Sequence, residues 1–528
     1  MLRLKNCGQL PPKKWWLLIV ALFALGIFFR FYNLDYKVYW HDEIYTSFRL
    51  AGYTRKELVT QVFNGNIIDA KDLLIYQQLP PEKGLVDTIK SLAIDDPQHP
   101  PLYYLMGRLW VQLLGNSITV TVIRSLSACI SLLVFPCLYW LCLELFGTSL
   151  VGWVANVFLS ISPFHILYAQ EAREYVLWTV TILLSGAALL QALRLQTKLC
   201  WGIYTATLIL GFYTFLFTGL VAIGHGIYVV VTEGYRWSKT VKAYLLASLA
   251  GIIASTPWLF VLTTNWLQFQ LTTSWMETIK IPPLVLIKIW GLHLTRLFVD
   301  FDLGLDHPFT YLVPPFFLIL VSYSIYVLCC KTPKQTWLFI IPLICTTAIP
   351  LMGSDLIQGG VRSASSRYLI PCFLGIQISV AYLLATQMMN GNSLKQKLWQ
   401  ILTAVLISVG VISCAISSQS QTSWIKVVSY HLPQVASIIN QTHRPILISN
   451  DFGINWGNVF ALSYLLKPNV QLQLVVDSNI PKIPNGFSDV FLLNPSDSLK
   501  QGIEKHYHSQ IQSVFGDEHI SLLKLSQS

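Results

Sequence analysis

Charge is what this sequence is short of. Asp, Glu, Lys and Arg supply 12% of its 528 residues, against about 25% in an ordinary soluble domain. The apolar share is 54%. One water-solvated core is therefore excluded, and the chain reads as a polytopic α-helical membrane protein. Cysteines are present without a pattern. The ten are scattered, mostly inside apolar runs (Cys129, Cys137, Cys142, Cys329, Cys330, Cys345), with no CxxC pair and no disulfide framework. They read as small packing residues. A cleavable signal with a small-residue exit is also missing. The first apolar run is flanked by Lys13 and Lys14 and followed by bulky Phe31 and Tyr32, so it reads as an uncleaved start-transfer segment. The net charge of +10 then reflects basic cytoplasmic loops rather than a nucleic-acid partner.

Apolar runs near the length a bilayer requires give about eleven spans, roughly 15–32, 120–145, 149–167, 174–195, 200–217, 219–233, 243–263, 308–330, 336–352, 367–387 and 398–418. Arg3, Lys5, Lys13 and Lys14 precede the first span. Arg194 and Lys198, then Arg236, Lys239 and Lys242, then Lys331 and Lys334, then Lys395 and Lys397 fall in later loops. With eleven spans all of these share one side, which the positive-inside rule makes the cytoplasm. Counting residues 99–114 as a span would move every later basic loop outward. That stretch is read instead as a surface-lying amphipathic helix. The expected location is a plasma membrane, with a cytoplasmic N-terminus.

The opposite face collects the informative loops. The first, 33–119, holds His41, Asp42 and Glu43 directly after the first span and before a helical-looking run (Ile44, Phe48, Leu50, Ala51). It continues to Asp95, Asp96, Pro97, Gln98, His99, Pro100 and Pro101. The loop after the third span runs from Ser162 and Pro163 to Gln170, Glu171 and Arg173. A loop at 264–307 holds Arg296, Asp300, Asp302, Asp306 and His307, and another at 353–366 leads into Arg362, Arg367 and Tyr368. Acidic residues beside a bilayer are costly, which makes them functional candidates. A transporter would carry its ionisable residues at the midplane. Here the spans hold few: Glu144 near a cytoplasmic end, and Arg30 and Arg124 near outer ends, where long side chains reach water.

After about residue 420 the composition turns polar, with the punctuation of a small soluble α/β domain at 419–528, outside by span parity. Strands are expected at 445–449, 470–476 and 489–493, and helices at 458–466 and 496–507. No Gly-rich phosphate loop is present. Asp451 after the first of these strands is better explained by turn chemistry than by a site. Residues 1–418 form the expected transmembrane domain.

Carboxylates and arginines on an outward face suit one reaction well. A carboxylate takes the proton of an acceptor hydroxyl or amine while an anomeric carbon is attacked. Arginines hold the departing phosphate as its charge grows. Nucleotide sugars are generally confined to the cytoplasm, so that phosphate would be lipid-borne. The residues also carry a resemblance. Asp42 and Glu43 resemble the acidic pair in the first outer loop of GT-C membrane glycosyltransferases. His99-Pro100-Pro101-Leu102-Tyr103-Tyr104 is similar to the HPPLxY signature of their family 39 branch. Ser162-Pro163-Phe164 through Gln170-Glu171-Ala172-Arg173-Glu174-Tyr175 is similar to its SPF…QEAR-x-Y stretch, and Arg367-Tyr368 with Pro371 to its later RY…P element. That branch includes protein O-mannosyltransferases and aminoarabinose transferases. The likeness covers roughly residues 10–390 and implies a GT-C-like fold, a polyprenyl-phosphate sugar donor and transfer with inversion.

The resemblance makes Asp42 the catalytic carboxylate, with Glu43 supporting it or favouring the helix start as a first-turn negative charge. His41 either orients Asp42, touches the acceptor, or is a plain interfacial histidine. Arg173 holds the donor phosphate or pairs with Glu171 or Glu174. Arg124 is a second phosphate ligand or a snorkelling anchor. Arg362, Arg367 and Tyr368 would close the phosphate site, or Tyr368 belongs to the aromatic belt. Asp96, His99, Gln170, Glu171 and Tyr175 complete the expected substrate pocket. Asp95, Asp96, His99 and Asp42 have the atoms for a divalent cation but not a metal-site spacing. Pro97 and Pro100 suggest a turn whose aspartates cap the next helix, and no cofactor is expected. The acceptor, whether protein, lipid or glycan, has no visible motif. The rival readings are a flippase or transporter of lipid-linked saccharides, and a polymerase or ligase using a lipid-diphosphate donor.

Overall fold

Inside a bilayer every backbone N–H and C=O must find a partner within the chain, and the apolar runs answer with helices. The computed structural model describes residues 13–389, 393–477 and 479–526; Arg3 and Lys5 lie outside the described residues. All eleven runs are helical. Among the described residues, six helices are long and apolar enough to cross a membrane: Val120–Phe146, Tyr175–Leu195, Phe309–Lys331, Lys334–Gln358, Ser366–Met389 and Leu394–Gln419. Two bent pairs, Ser149–Ser160 with Pro163–Ala169 and Lys239–Ala254 with Thr256–Thr264, bring the number to as many as eight. Trp15–Phe31, Lys198–Phe212 and Thr218–Thr232 are apolar but shorter. The chain is thus an integral membrane protein, divided into two compact units. The first comprises Met1–Tyr32, Asp96–Tyr103 and Arg124–Ser418; the second comprises Asn33–Asp95, Tyr104–Ile123 and Gln419–Ser528.

The first unit is a helical bundle with one instructive break. Pro163 has no N–H and pushes Ser162 into an extended conformation (φ −79°, ψ 119°). The chain turns by 66° there, which releases backbone carbonyls. Arg30, on the helix Lys13–Phe31, takes two of them: its Nη1 donates to the Ser160 carbonyl at 2.7 Å and its Nη2 to that of Leu159 at 3.2 Å. Cys414 Sγ donates to the Ile161 carbonyl at 3.0 Å. Gly26 makes this approach possible, since a β-carbon there would lie 2.5 Å from the Ser160 oxygen. Arg30 and Arg124 therefore do not reach out to water: they are 1% and 2% exposed. For Arg30 the cause is the broken helix beside it, whose carbonyls need a donor. Replacing Arg30 with Leu strands those carbonyls and should cost about 2–4 kcal/mol. Thermal unfolding in detergent is the check, and an unchanged midpoint would contradict it.

The segment expected as an outer loop at 264–307 is largely helical, at Trp266–Thr273, Trp275–Thr278 and Pro283–Arg296. Pro283 starts the last of these, where its missing N–H costs nothing. Arg296 Nε pairs with Asp300 Oδ2 at 2.7 Å. The amphipathic stretch at 99–114 is the helix Leu102–Leu113; Pro100 and Pro101 hold its start at Leu102, and Leu109 and Leu113 stand exposed along it.

The second unit is built on a six-stranded sheet. In chain order the strands are β1 (Asn64–Asp69), β2 (Pro445–Asn450), β3 (Gln471–Val475), β4 (Asp489–Leu493), β5 (Ile511–Gly516) and β6 (Ser521–Leu525). Their spatial order is β1-β3-β2-β4-β6-β5. β2 is central, parallel to both neighbours and buried along its whole length; residues 445–448 are apolar, and the buried Ser449 and Asn450 that close it donate to the Leu493 carbonyl and to Asp477 and Ser496. Ile448, Val475 and Leu492 pack on Leu499 and Ile503 of the helix Asp497–Tyr507. The other expected helix is Asn455–Ser463. Elements beyond the sequence reading include the helix Leu432–Asn440, the hairpin β5–β6, the first-loop helices Arg55–Val62, Ala70–Gln77 and Leu85–Asp95, and β1, which comes from the same loop and pairs antiparallel with β3.

Candidate functional site

In the second unit the acidic residues open the helix His41–Ala51, which packs on the helices Leu85–Asp95, Ala70–Gln77 and Asn455–Ser463. Trp40 caps it without a side-chain bond, and Asp42 and Glu43 occupy its first turn. There the partial positive charge of the helix end favours carboxylates. Glu43 and the run Thr46–Ala51 are buried. His41, Asp42 and Tyr45 are the residues of the helix left half-buried, and their spacing puts them on one face. Glu43 is 1% exposed, whereas the Asp42 side chain is 15% exposed. Asp42 is accordingly the carboxylate of the pair that a substrate can meet. His41 Nε2 lies 3.1 Å from Asp42 Oδ1, and its ring stands edge-on to Trp40 and Tyr45.

Asp95 does not cap the helix that follows it. Its Oδ2 accepts from Arg49 Nη1 at 2.7 Å and from the Arg55 backbone N–H at 2.8 Å. It thereby answers a buried guanidinium and the start of the helix Arg55–Val62.

In the first unit the HPP loop meets the Gln170–Glu174 turn through His99, and that turn and the Arg367-Tyr368 element meet at the Tyr175 ring. The loop is held by backbone contacts: the Leu102 N–H donates to the Tyr213 carbonyl at 3.0 Å, and Trp258 Nε1 to that of Pro97 at 3.1 Å. The Gln170 amide donates to the carbonyls of Phe29 and Tyr32 at 2.8 Å each, fixing the turn to the end of the first helix. His99 Nδ1 lies 2.9 Å from Glu174 Oε1, and its Nε2 lies 3.1 Å from Arg173 Nη2. An ionised carboxylate only accepts and a guanidinium only donates. Nδ1 of His99 thus faces an acceptor and its Nε2 faces a donor. Arg173 and Arg367 lie 5.6 and 5.5 Å from the centre of the Tyr175 ring. The Tyr168 hydroxyl meets Ser366 Oγ at 3.0 Å, joining the turn to the segment that carries Arg367.

Glu174, fully buried, stands 3.5 Å from Arg173 as one of the two partners the sequence offered that arginine, although it was not counted among the pocket residues. Its signal was available: a carboxylate placed just before an apolar span, beside an arginine. Glu171 is buried in the same turn, and Asp96 accepts from the Gln98 amide at 3.2 Å. Arg362 lies apart from the Tyr175 ring in its contacts. It pairs with Asp355 at 3.2 Å and Glu277 at 2.9 Å. No group of three His, Cys, Asp or Glu side chains that could hold a metal ion occurs among the described residues.

No family model matches the sequence, and no curated protein matches it either. Solved structures do match. The crystal structure of ArnT from Cupriavidus metallidurans in the apo state aligns with a TM-score of 0.53 at 11% identity, over 97% of this chain and 98% of that one. The structure of ArnT from Cupriavidus metallidurans bound to undecaprenyl phosphate gives 0.51 at 12% identity over the same shares. At such identities the likeness is one of fold. The chain shares the fold of these ArnT structures along nearly its full length.

Proposed function

We propose that this protein is a glycosyltransferase that moves a sugar from a polyprenyl-phosphate donor to an acceptor on the extracytoplasmic face of the membrane. The observation that carries this reading is the convergence of Arg173 and Arg367, from segments far apart in sequence, on the Tyr175 ring. Glu174 lies 3.5 Å from Arg173, and a phosphate suits the fork geometry of two arginines. Undecaprenyl phosphate bound to an ArnT of this fold supports a lipid phosphate as the anion.

In this mechanism Asp42 accepts the proton of the acceptor hydroxyl or amine as that group attacks the anomeric carbon. The bond from that carbon to the phosphate oxygen breaks, and its electron pair stays on the phosphate. Arg173 and Arg367 stabilise the charge that develops there, with Arg124 as a further candidate. Arg362, already answered by Asp355 and Glu277, is assigned to holding its own turn.

The test uses purified protein in lipid nanodiscs, radiolabelled polyprenyl-phosphate and polyprenyl-diphosphate sugars, and membrane extract as the acceptor source. Transfer from a monophosphate donor is expected. Transfer from diphosphate donors alone would replace the reading with a polymerase or ligase. Passage of intact donor across vesicles without bond cleavage would replace it with a flippase.

A further inference from the structure

The C-terminal residues share one compact unit with the acidic helix, and their closest approach to it is an aromatic platform. Tyr45, one helical turn from His41 and Asp42, stacks on Trp456 with ring centres 4.2 Å apart and planes 19° from parallel. Phe48, the next inward residue of the same helix, stacks on the other part of that ring system at 5.6 Å and 14°. The following residue is Gly457, where a β-carbon would lie 2.6 Å from Tyr45 Cε1. The backbone of the helix Asn455–Ser463 thus comes directly against the Tyr45 ring, with no room for a side chain between them. A second grip holds the start of the acidic helix. The His41 N–H donates to Ser429 Oγ at 3.4 Å, and the Lys426 ammonium stands 3.8 Å over the Trp40 ring. Trp40 in turn stands edge-on to His41, which contacts Asp42.

We infer that the C-terminal domain positions the catalytic carboxylate, with Trp456 and Gly457 as its positioning residues. Stacked aromatic pairs contribute about 0.5–1.5 kcal/mol beyond the area they bury. Here two such pairs fix the rotation of the acidic helix, and that rotation sets where Asp42 points. Trp456 is 7% exposed and touches no substrate in this assignment; it acts through Tyr45. The inference rests on the glycosyltransferase reading for its effect on turnover, but not for its effect on the helix.

The experiment pairs hydrogen–deuterium exchange with transfer kinetics on full-length Trp456→Ala, Trp456→Phe and Gly457→Ala. In Trp456→Ala, exchange over residues 41–51 is expected to rise while strands β2 and β3 stay protected, so the domain is still folded. Turnover should fall by about 10–100-fold with donor KM nearly unchanged, the signature of a misplaced reacting group. Trp456→Phe keeps a stacking ring and should restore most of the rate. Gly457→Ala should raise exchange over the same helix by displacing Tyr45. Unchanged exchange over residues 41–51 in both Trp456→Ala and Gly457→Ala would overturn the inference, as would a loss that Phe does not rescue. Raised exchange in an enzyme whose transfer does not depend on Asp42 would overturn the glycosyltransferase assignment of Asp42 and leave the positioning of the helix standing.

Discussion

Replacing Asp42 with Asn is expected to remove sugar transfer while sparing the protein around it. The amide keeps the shape of the side chain and its contact distance to His41 Nε2, 3.1 Å in the native chain. What it loses is the ability to take a proton. A positioned general base contributes about 10²–10⁴-fold, so turnover should fall by that factor. Donor KM and the unfolding midpoint should hardly move, because Asp42 is partly exposed and the amide keeps its shape. Glu43→Gln gives the contrast. Glu43 is buried on the inner side of the helix, so its replacement should be felt in stability before it is felt in chemistry. Single-turnover kinetics with labelled donor separate the two variants. Turnover by Asp42→Asn within a few-fold of the native rate would remove Asp42 from its assigned role.

The second large effect is expected from the paired guanidiniums, and it should fall on the other kinetic constant. Arg173→Ala and Arg367→Ala each remove a charge-assisted partner of the donor phosphate. Hydrogen bonds to charged groups contribute about 1.5–3 kcal/mol each, which corresponds to roughly 10–150-fold in donor affinity. The phosphate gains charge as the sugar departs, so part of the loss should also appear in turnover. Arg367→Lys should recover only a fraction, since an ammonium cannot reproduce the planar fork. Arg173→Ala also withdraws a partner from His99 and Glu174, and its unfolding midpoint should drop. Binding of labelled polyprenyl phosphate, measured without turnover, should weaken in both arginine variants and stay intact in Asp42→Asn. Unaltered donor binding after loss of both arginines would refute the phosphate clamp.

The legible parts of this chain are those governed by rules local to a few residues. An apolar run in a bilayer has little choice but a helix, so all eleven runs became one. The helix beginning at Leu102 falls within the amphipathic stretch read at 99–114, but the break at Pro163 falls inside a span read as continuous at 149–167, and the helix from Pro283 inside a segment read as a loop. The central strand β2 announced itself through its apolar residues 445–448, as a strand buried on both faces does. The rest depends on what lies across the fold. Residues 64–69 lie unmarked in the loop read at 33–119, and they form a strand because β3 offers an edge to pair with. Arg30 sits where a snorkelling arginine belongs, and only the neighbouring broken helix turns it inward. Arg173 and Arg367 are visible as motif residues, but their convergence on Tyr175 is a property of the bundle. The absence of a matching family model fits the same distinction. Four short motifs stand in a background where one apolar residue replaces another freely, and 11% identity to an ArnT structure is enough to keep the fold.

The strand borrowed from the first loop also governs when the protein can become active. Asp69 and its sheet partner Gln471 are separated by 402 residues. At a synthesis rate of about 5–20 residues per second, the first loop leaves the ribosome roughly 20–80 s before its partner strand exists. During that interval the acidic helix has neither the sheet nor Trp456 to rest on. Pairings over such a separation are intrinsically slow to close. The carboxylate would then take up its final position only after the last membrane helix has been made, so a nascent or truncated chain would remain inert while it is being inserted.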